Sequence, residues 1–274
     1  MKLGFIGGGN MAQALITGLK SQQFAMQDIT VIELDANKRA ELSGNLGVNT
    51  TNELVRIQNC DVIVLAIKPQ QLPILAKMLA PLLSSQLVIS IAAGIHLIDL
   101  SRWLGDYKII IRAMPNTPAQ IQAGITGLVA MPNVSKTQIA LADQVLSAAG
   151  STLWLNSEEK LDAITAISGS GPAYVFYLIE ALQEAALLLG LSESQAKQLS
   201  IATFKGASLL ADASTTPIAT LREQVTSKGG TTEQGLLSLQ HSQVKQAIIL
   251  AAQKAYERAK TLGIELGRDE LGDL

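Results

Sequence analysis

The stretch Leu3-Gly4-Phe5-Ile6-Gly7-Gly8-Gly9-Asn10-Met11-Ala12 decides the fold class of this chain. Four residues of strand character run directly into the pattern G-x-G-x-x-A, and a helical periodicity over 11–20 opens on its last positions. Gly7 permits the tight turn, Gly9 lets backbone approach a pyrophosphate, and the small Ala12 allows helix to pack closely on strand. The N–H groups at the start of that helix then face an anion. Glycine clusters also serve ordinary turns. Position at the first strand–helix junction is what makes this one a dinucleotide fingerprint.

Working outward, 29–33, 62–66, 88–92 and 108–112 read as short strands that are apolar almost throughout. Continuous apolar strands suit a parallel sheet covered on both faces. Helical patterns at 37–45 and 72–83 have crossover length, so strand and helix alternate in the rhythm of a doubly wound α/β domain. A strand at 124–131, a helix at 135–149 and a strand at 152–155 complete the sheet. Beyond Asn156 strand signals stop. Helical patterns follow at 158–167, 172–189, 194–212, 218–225, 233–239 and 244–262, separated by loop chemistry such as Gly169-Ser170-Gly171-Pro172 and Lys228-Gly229-Gly230. We therefore expect an N-terminal dinucleotide-binding domain over 1–155 and an all-helical domain over 156–274, with 267–274 fraying. The pattern at 172–189 is apolar on nearly every side, which calls for burial. The thin helical half supplies burial most economically against a second copy of itself.

Composition narrows the function. The 274 residues are 48% hydrophobic and 16% charged with a net charge of −2, which offers no electrostatic footing for nucleic acid or an acidic membrane. One Cys and two His leave little for a disulfide framework or a dedicated metal site, and point to a reducing compartment, the cytoplasm. No apolar run approaches the roughly 20 residues of a membrane span, and the N-terminus shows no secretory leader.

Ligand-binding loops of open α/β sheets lie at the carboxyl ends of the strands. Glu33 ends the second strand where an acid takes ribose hydroxyls, and Asp35 follows either as a second such acid or as the cap of the next helix. Ala66-Ile67-Lys68-Pro69, Ala92-Ala93-Gly94 and the turn containing Asn116 end later strands on the same rim. In the helical half, Gly229-Gly230-Thr231-Thr232-Glu233 reads equally as a carboxylate nest at a helix start or as a plain cap with Thr232 at the N-cap.

Together these residues resemble the pyrroline-5-carboxylate reductase family over nearly the full chain. The first fingerprint is shared with many dehydrogenases; Arg112-Ala113-Met114-Pro115-Asn116-Thr117-Pro118, 168–174 and 227–232, in this order and spacing, are specific to the family. The resemblance implies a Rossmann domain followed by a helical dimerisation domain, a homodimer and in some members a ring of dimers. It implies NADPH or NADH held by the loops Gly7, Gly8, Gly9, Asn10, Met11, Ala66, Ile67, Lys68, Pro69, Ala92, Ala93 and Gly94, to which the reading of the residues themselves adds Ile6, Glu33, Asp35 and Asn116. It implies that the substrate carboxylate sits on the backbone of Gly229, Gly230 and Thr231 and that the Thr232 hydroxyl reaches the ring nitrogen as the catalytic donor, and Ser168 is expected among the substrate contacts. The chain departs from the family's habit in carrying Lys228 where many members have Pro, and Glu33 and Asp35 where Ser, Thr or Asn is common. The acids lean toward acceptance of NADH. A substrate-contacting Glu of some members falls near 214–216, where none stands. Two rival readings weigh less. A β-hydroxyacid dehydrogenase would need a Lys base on the 172–189 helix, which carries only Glu180 and Glu184 as charged residues. A non-catalytic sensor would have lost the Gly-Gly-Thr-Thr loop.

Overall fold

A computed structural model describes residues 1–268, and the expectation of fraying beyond Arg268 lies outside the described residues. The first compact unit is Met1–Ser170 with the chain from Ala255 onward, and the second is Gly171–Lys254. In the first unit, β1 (Leu3–Ile6), β2 (Ile29–Ile32), β3 (Asn49–Thr51), β4 (Val62–Leu65), β5 (Leu87–Ser90), β6 (Ile110–Met114), β7 (Gly124–Ala130) and β8 (Gly150–Trp154) form one sheet. Its order is β3-β2-β1-β4-β5-β6-β7-β8. All neighbours are parallel except β6 and β7, which run antiparallel.

Alternation along each strand feeds two cores. Val62 and Val64 join Leu3, Phe5 and Ile89 under α1 (Asn10–Ser21), while Ile63 and Leu65 join Val88 and Ile110 on the opposite face. The second face is covered by α3 (Leu72–Leu79) and α4 (Leu97–Trp103), which supply Leu72, Ala76, Leu79 and Leu100. Further helices α2 (Ala36–Leu46) and α5 (Lys136–Leu146) add Leu42, Ala142 and Val145 to the first face. Helix α1 lies so close to the turn before β8 that a Cβ on Gly18 would strike the carbonyl of Ala148. The remaining element of this stretch, α6 (Lys160–Ile164), continues into a π-turn at Thr165–Gly169.

The expected strands form with ends shifted by a residue or two, the sixth moving from 108–112 to Ile110–Met114, where the apolar register pairs with β5 and β7. Two elements went unforeseen. Strand β3 is Asn-Thr-Thr, an edge strand without an apolar run, and α4 is a seven-residue helix after Gly94. The expected helix over 72–83 stops at Leu79 and tightens into a turn around Pro81.

The second unit is helical: α7 (Gly171–Leu188), α8 (Glu193–Asp212), α9 (Ile218–Gln224), α10 (Thr231–His241) and the first part of α11 (Val244–Gly267). Its only buried residues are Ala196 and Ser200, whereas Phe176 is 65% and Tyr177 71% exposed. A unit so short of interior cannot offset the entropy of its own ordering by burial within one chain. No helix among the described residues is long and apolar enough to cross a membrane.

Candidate functional site

The sheet order reverses at β1, so the loops leaving β1 and β4 stand side by side at the topological switch point. The Gly7 N–H donates to the Ile32 carbonyl, and the Ala66 N–H donates to the Ile6 carbonyl. Gly7 turns with φ +97°, and a Cβ there would sit 2.5 Å from the Ala66 carbonyl oxygen, so both the conformation and the contact require glycine. Gly9 faces open space and is the N-cap of α1 with no side-chain cap, which leaves the first N–H groups of that helix without a local acceptor. Gln13 Nε2 donates to the Gly8 carbonyl at 2.9 Å and pins the loop from behind. Ile6 is buried beneath it, Asn10 is exposed and Met11 half-buried.

Glu33 folds back onto this loop. Its Oε2 accepts the Gly8 N–H at 3.2 Å and pairs with Lys38 Nζ at 3.2 Å, while Oε1 accepts the Leu34 and Asp35 N–H groups. Burial pushes the carboxyl up, but these backbone donors and Lys38 outweigh it and hold the group below its ordinary value. Asp35, for which two roles stood open, is the N-cap of α2 and accepts from the Asn37 and Lys38 N–H groups. Arg39 is turned to the Glu33 and Leu34 carbonyls at 2.8 Å.

On the remaining rim, Lys68 is exposed and Ile67 and Pro69 are half-buried. Ala92 and Gly94 are buried and Ala93 is half-buried. Asn116 and Ser168 are brought together, but by their protein contacts. Asn116 donates to the Ser168 carbonyl at 3.1 Å and accepts the Ile125 N–H at 2.9 Å, while the Ser168 hydroxyl donates to the Ile164 carbonyl at 3.0 Å. Asn116 thus fastens the π-turn to β7.

In the second unit, the plain-cap alternative needs correcting in its residue. Gly230, not Thr232, is the N-cap of α10, with no side-chain cap, because the extended backbone that precedes the helix ends there. Two of the backbone donors of the nest alternative are already engaged. The Gly229 N–H is taken by Glu233 Oε2 at 2.7 Å and the Gly230 N–H by the Ser227 carbonyl at 3.0 Å. The N–H groups of Thr231, Thr232 and Glu233 occupy the first turn, where no intrahelical acceptor exists. Thr231 and Thr232 are exposed, and the Thr232 hydroxyl makes no hydrogen bond among the described residues. An acid at the third helical position was the available clue to Glu233.

One cluster escaped the sequence reading. Arg112, with its side chain 3% exposed, donates to Glu158 Oε1 at 2.8 Å, reaches Asp162 Oδ1 at 3.4 Å, and lies 3.3 Å from His96 Nδ1. Hydrogen bonding to Glu158 holds His96 above its ordinary value of 6.5, against burial and the nearby Arg112. Burial raises Glu158, but hydrogen bonds from His96, Arg112 and the Leu97 N–H bring it below 4.5. Asp162 and Lys260 also line the cleft beside these groups. The Glu158 contribution to stability is therefore present above pH 4.5 and lost as pH falls through its lowered value. That of His96 is complete below pH 6.5 and lost as pH rises through its raised value. Thermal unfolding should show Tm falling as pH rises beyond 6.5, with His96→Gln flattening that slope; an unchanged slope in the variant would remove His96 from the effect.

The comparisons with known proteins agree with this geometry. The family model described as pyrroline-5-carboxylate reductase dimerisation matches residues 158–262, and one described as NADP oxidoreductase, coenzyme F420-dependent, matches residues 2–94. A pyrroline-5-carboxylate reductase of Pseudomonas aeruginosa is 41% identical over 268 residues, 96% of this chain and 98% of that protein. A solved pyrroline-5-carboxylate reductase from Coxiella burnetii superposes with TM-score 0.91 at 40% identity, covering 95% of this chain and 98% of the other. The Plasmodium falciparum pyrroline carboxylate reductase, solved with NADP bound, gives 0.87 at 31% identity, over 96% and 98%. With relatives this similar along nearly its whole length, and the dimerisation match laid over the helices of its second half, the chain belongs to the pyrroline-5-carboxylate reductase family.

Proposed function

We propose that this chain reduces the C=N bond of 1-pyrroline-5-carboxylate to L-proline with NAD(P)H, as a cytoplasmic homodimer. The observation that carries the reading is the start of α10, where Thr231–Glu233 present unpaired N–H groups beside the free Thr232 hydroxyl. A helix N-terminus stabilises a carboxylate through aligned donors and dipole, and the adjacent hydroxyl can reach a ring nitrogen. Residues 1–155 bind the cofactor and 156–274 bind substrate and pair the two copies. A larger ring of such dimers is the further assembly to be read from the mass in solution.

The residues at the β1 and β4 loops fit a dinucleotide. Gly9 leaves room for a pyrophosphate, α1 offers its first N–H groups, and Gly7 is held in the one conformation that opens the loop. When bound, the nicotinamide supplies the hydride. The chain's own part is to orient the substrate carboxylate at α10 and to hold a proton donor at the nitrogen as it becomes an amine. An imine is electrophilic already, so placement and charge complementarity carry most of the rate. The substrate binding set assigned to Gly229, Gly230, Thr231, Thr232 and Ser168 thus narrows to the first turn of α10, with the two glycines shaping the approach. Thr232→Ala should lower kcat by about a hundredfold or more, the usual scale of a lost proton donor. Steady-state kinetics showing unchanged turnover would take Thr232 out of the mechanism.

The cofactor preference follows from Glu33. Its carboxylate sits at the Gly8 N–H with the Leu34 and Asp35 N–H groups and Lys38 already on it, so the ribose hydroxyls of NADH would exchange with these donors, while its charge opposes the 2′-phosphate of NADPH. One such like-charge pair near 4 Å costs on the order of 1 kcal/mol, several-fold in affinity. Lys38 softens this, being paired to the same carboxylate, while Arg39 is occupied by backbone carbonyls. The chain should use NADH at least as well as NADPH, and Glu33→Ser should shift kcat/KM toward NADPH. A clear NADPH preference in the unaltered protein would mean that Lys38 governs the pocket. Oxidation of cofactor on addition of pyrroline-5-carboxylate, with proline as product, tests the reading as a whole.

A further inference from the structure

We propose that Glu158, held by Arg112, is a positioning residue for the loop 92–94, so that one carboxylate oxygen sets how that loop meets the cofactor. The inference rests on the reading above, which gives this loop to the cofactor.

A buried guanidinium is costly unless it is paired, and a buried ion pair is weak evidence for stability but a good device for fixing registry. Arg112 stands on β6, buried but for 3% of its side chain, and spreads its donors over Glu158 and Asp162. Glu158 Oε1 does more than neutralise it. The same oxygen accepts the Leu97 N–H at 2.7 Å. Leu97 opens α4, whose N-cap His96 supplies no side-chain cap, so the acceptor for that helix end comes from another element altogether. Strand β6, the segment leading into α6 and the chain leaving β5 are thereby tied at one atom.

The loop is gripped from its other side as well. Gly94 has φ +81°, and a Cβ there would meet Leu262 and Leu266 of α11 at 3.3 Å. Gly263 lets that helix come within contact of His96 Nε2 and the Gly94 carbonyl. Position 92–94 is therefore set by a clamp with an apolar jaw on α11 and a charged jaw at Glu158. Ala93 is the half-buried residue between them. Displacing a positioning element by about 1 Å can cost on the order of a hundredfold in rate, so releasing the charged jaw should be visible in cofactor binding and turnover together.

The test uses the full-length enzyme. Glu158→Ala should raise the Kd for NADH, read by fluorescence titration, by about tenfold and lower kcat by a similar factor, with KM for pyrroline-5-carboxylate unchanged. Glu158→Gln keeps an oxygen at the same place and should recover most of both losses. Leu97→Pro provides the second variant: proline is well tolerated at the first helical position and removes the N–H while leaving Arg112 with both its carboxylates. Leu97→Ala, which keeps the N–H, accounts for the buried Leu97 side chain that is lost with it. Leu97→Pro should reproduce the rise in NADH Kd even if Glu158→Ala does not fold. Loss of activity with Kd unchanged would mean fewer folded molecules and no positioning role, and would overturn the proposal, as would wild-type Kd in folded Glu158→Ala or Leu97→Pro. Ala93→Glu separates this from the reading beneath it. If Ala93→Glu weakens NADH binding while the Glu158 and Leu97 variants do not, only the positioning role fails. If Ala93→Glu leaves NADH binding untouched, the loop is not the cofactor's.

Discussion

Replacing Gly230 with valine should raise KM for pyrroline-5-carboxylate by about a hundredfold, the equivalent of two lost charge-assisted hydrogen bonds, with cofactor affinity unchanged. Gly230 is the N-cap of α10 and directly precedes the three N–H groups given to the substrate carboxylate. A Cβ at this position would meet Ser227 Oγ at 2.5 Å and the Ser227 carbonyl at 3.1 Å. The hydroxyl can rotate away, but the carbonyl belongs to the turn that accepts the Gly230 N–H. The branched side chain must therefore displace that turn or cover the helix end, and either outcome removes donors from the anion. Gly229 offers a harsher version, since its φ of +74° excludes most side chains, but strain there would cloud the interpretation. If NADH binding weakened as much as substrate binding, the loop would belong to the cofactor and the assignment would fall.

Phe176→Glu should convert the dimer to monomers at micromolar concentration and abolish most activity with it. In a single chain Phe176 is 65% exposed and packs against little, so its loss removes almost no intrachain contact. A twofold interface presents each replacement twice. Each copy then forfeits about 2 kcal/mol of apolar burial and must also desolvate an unpaired carboxylate, which costs several kcal/mol more. The second unit has only Ala196 and Ser200 buried on its own, so the released monomers should also lose helical circular dichroism. Light scattering that still reports a dimer, with activity intact, would place the interface elsewhere.

The sheet was legible because its strands are apolar on both faces, a pattern only a doubly covered parallel sheet needs. Strand β3 was not, since Asn49–Thr51 has no apolar signal and owes its strand geometry to the neighbouring edge of β2. Glycine chemistry marked Gly7 and Gly230 correctly as special positions, but which backbone N–H groups remain free depends on Glu233 and Ser227 reaching back, a matter of a few ångströms that spacing does not express. Asp35 shows the same limit: its sequence position suited a ribose or a cap, and its carboxylate caps α2. Least legible was the Arg112–Glu158–His96 cluster. Arg112 and Glu158 lie 46 residues apart, and nothing local to either announces the other.

The central claim is direct reduction of the ring C=N bond by this chain, and isotope transfer measures it most directly. Incubation with NADH carrying deuterium on the transferred face of C4, pyrroline-5-carboxylate and the dimeric protein should give L-proline with one deuterium on C5, seen by mass spectrometry, in step with cofactor oxidation. Proline lacking the label, or cofactor that stays reduced in the presence of substrate, would contradict the account.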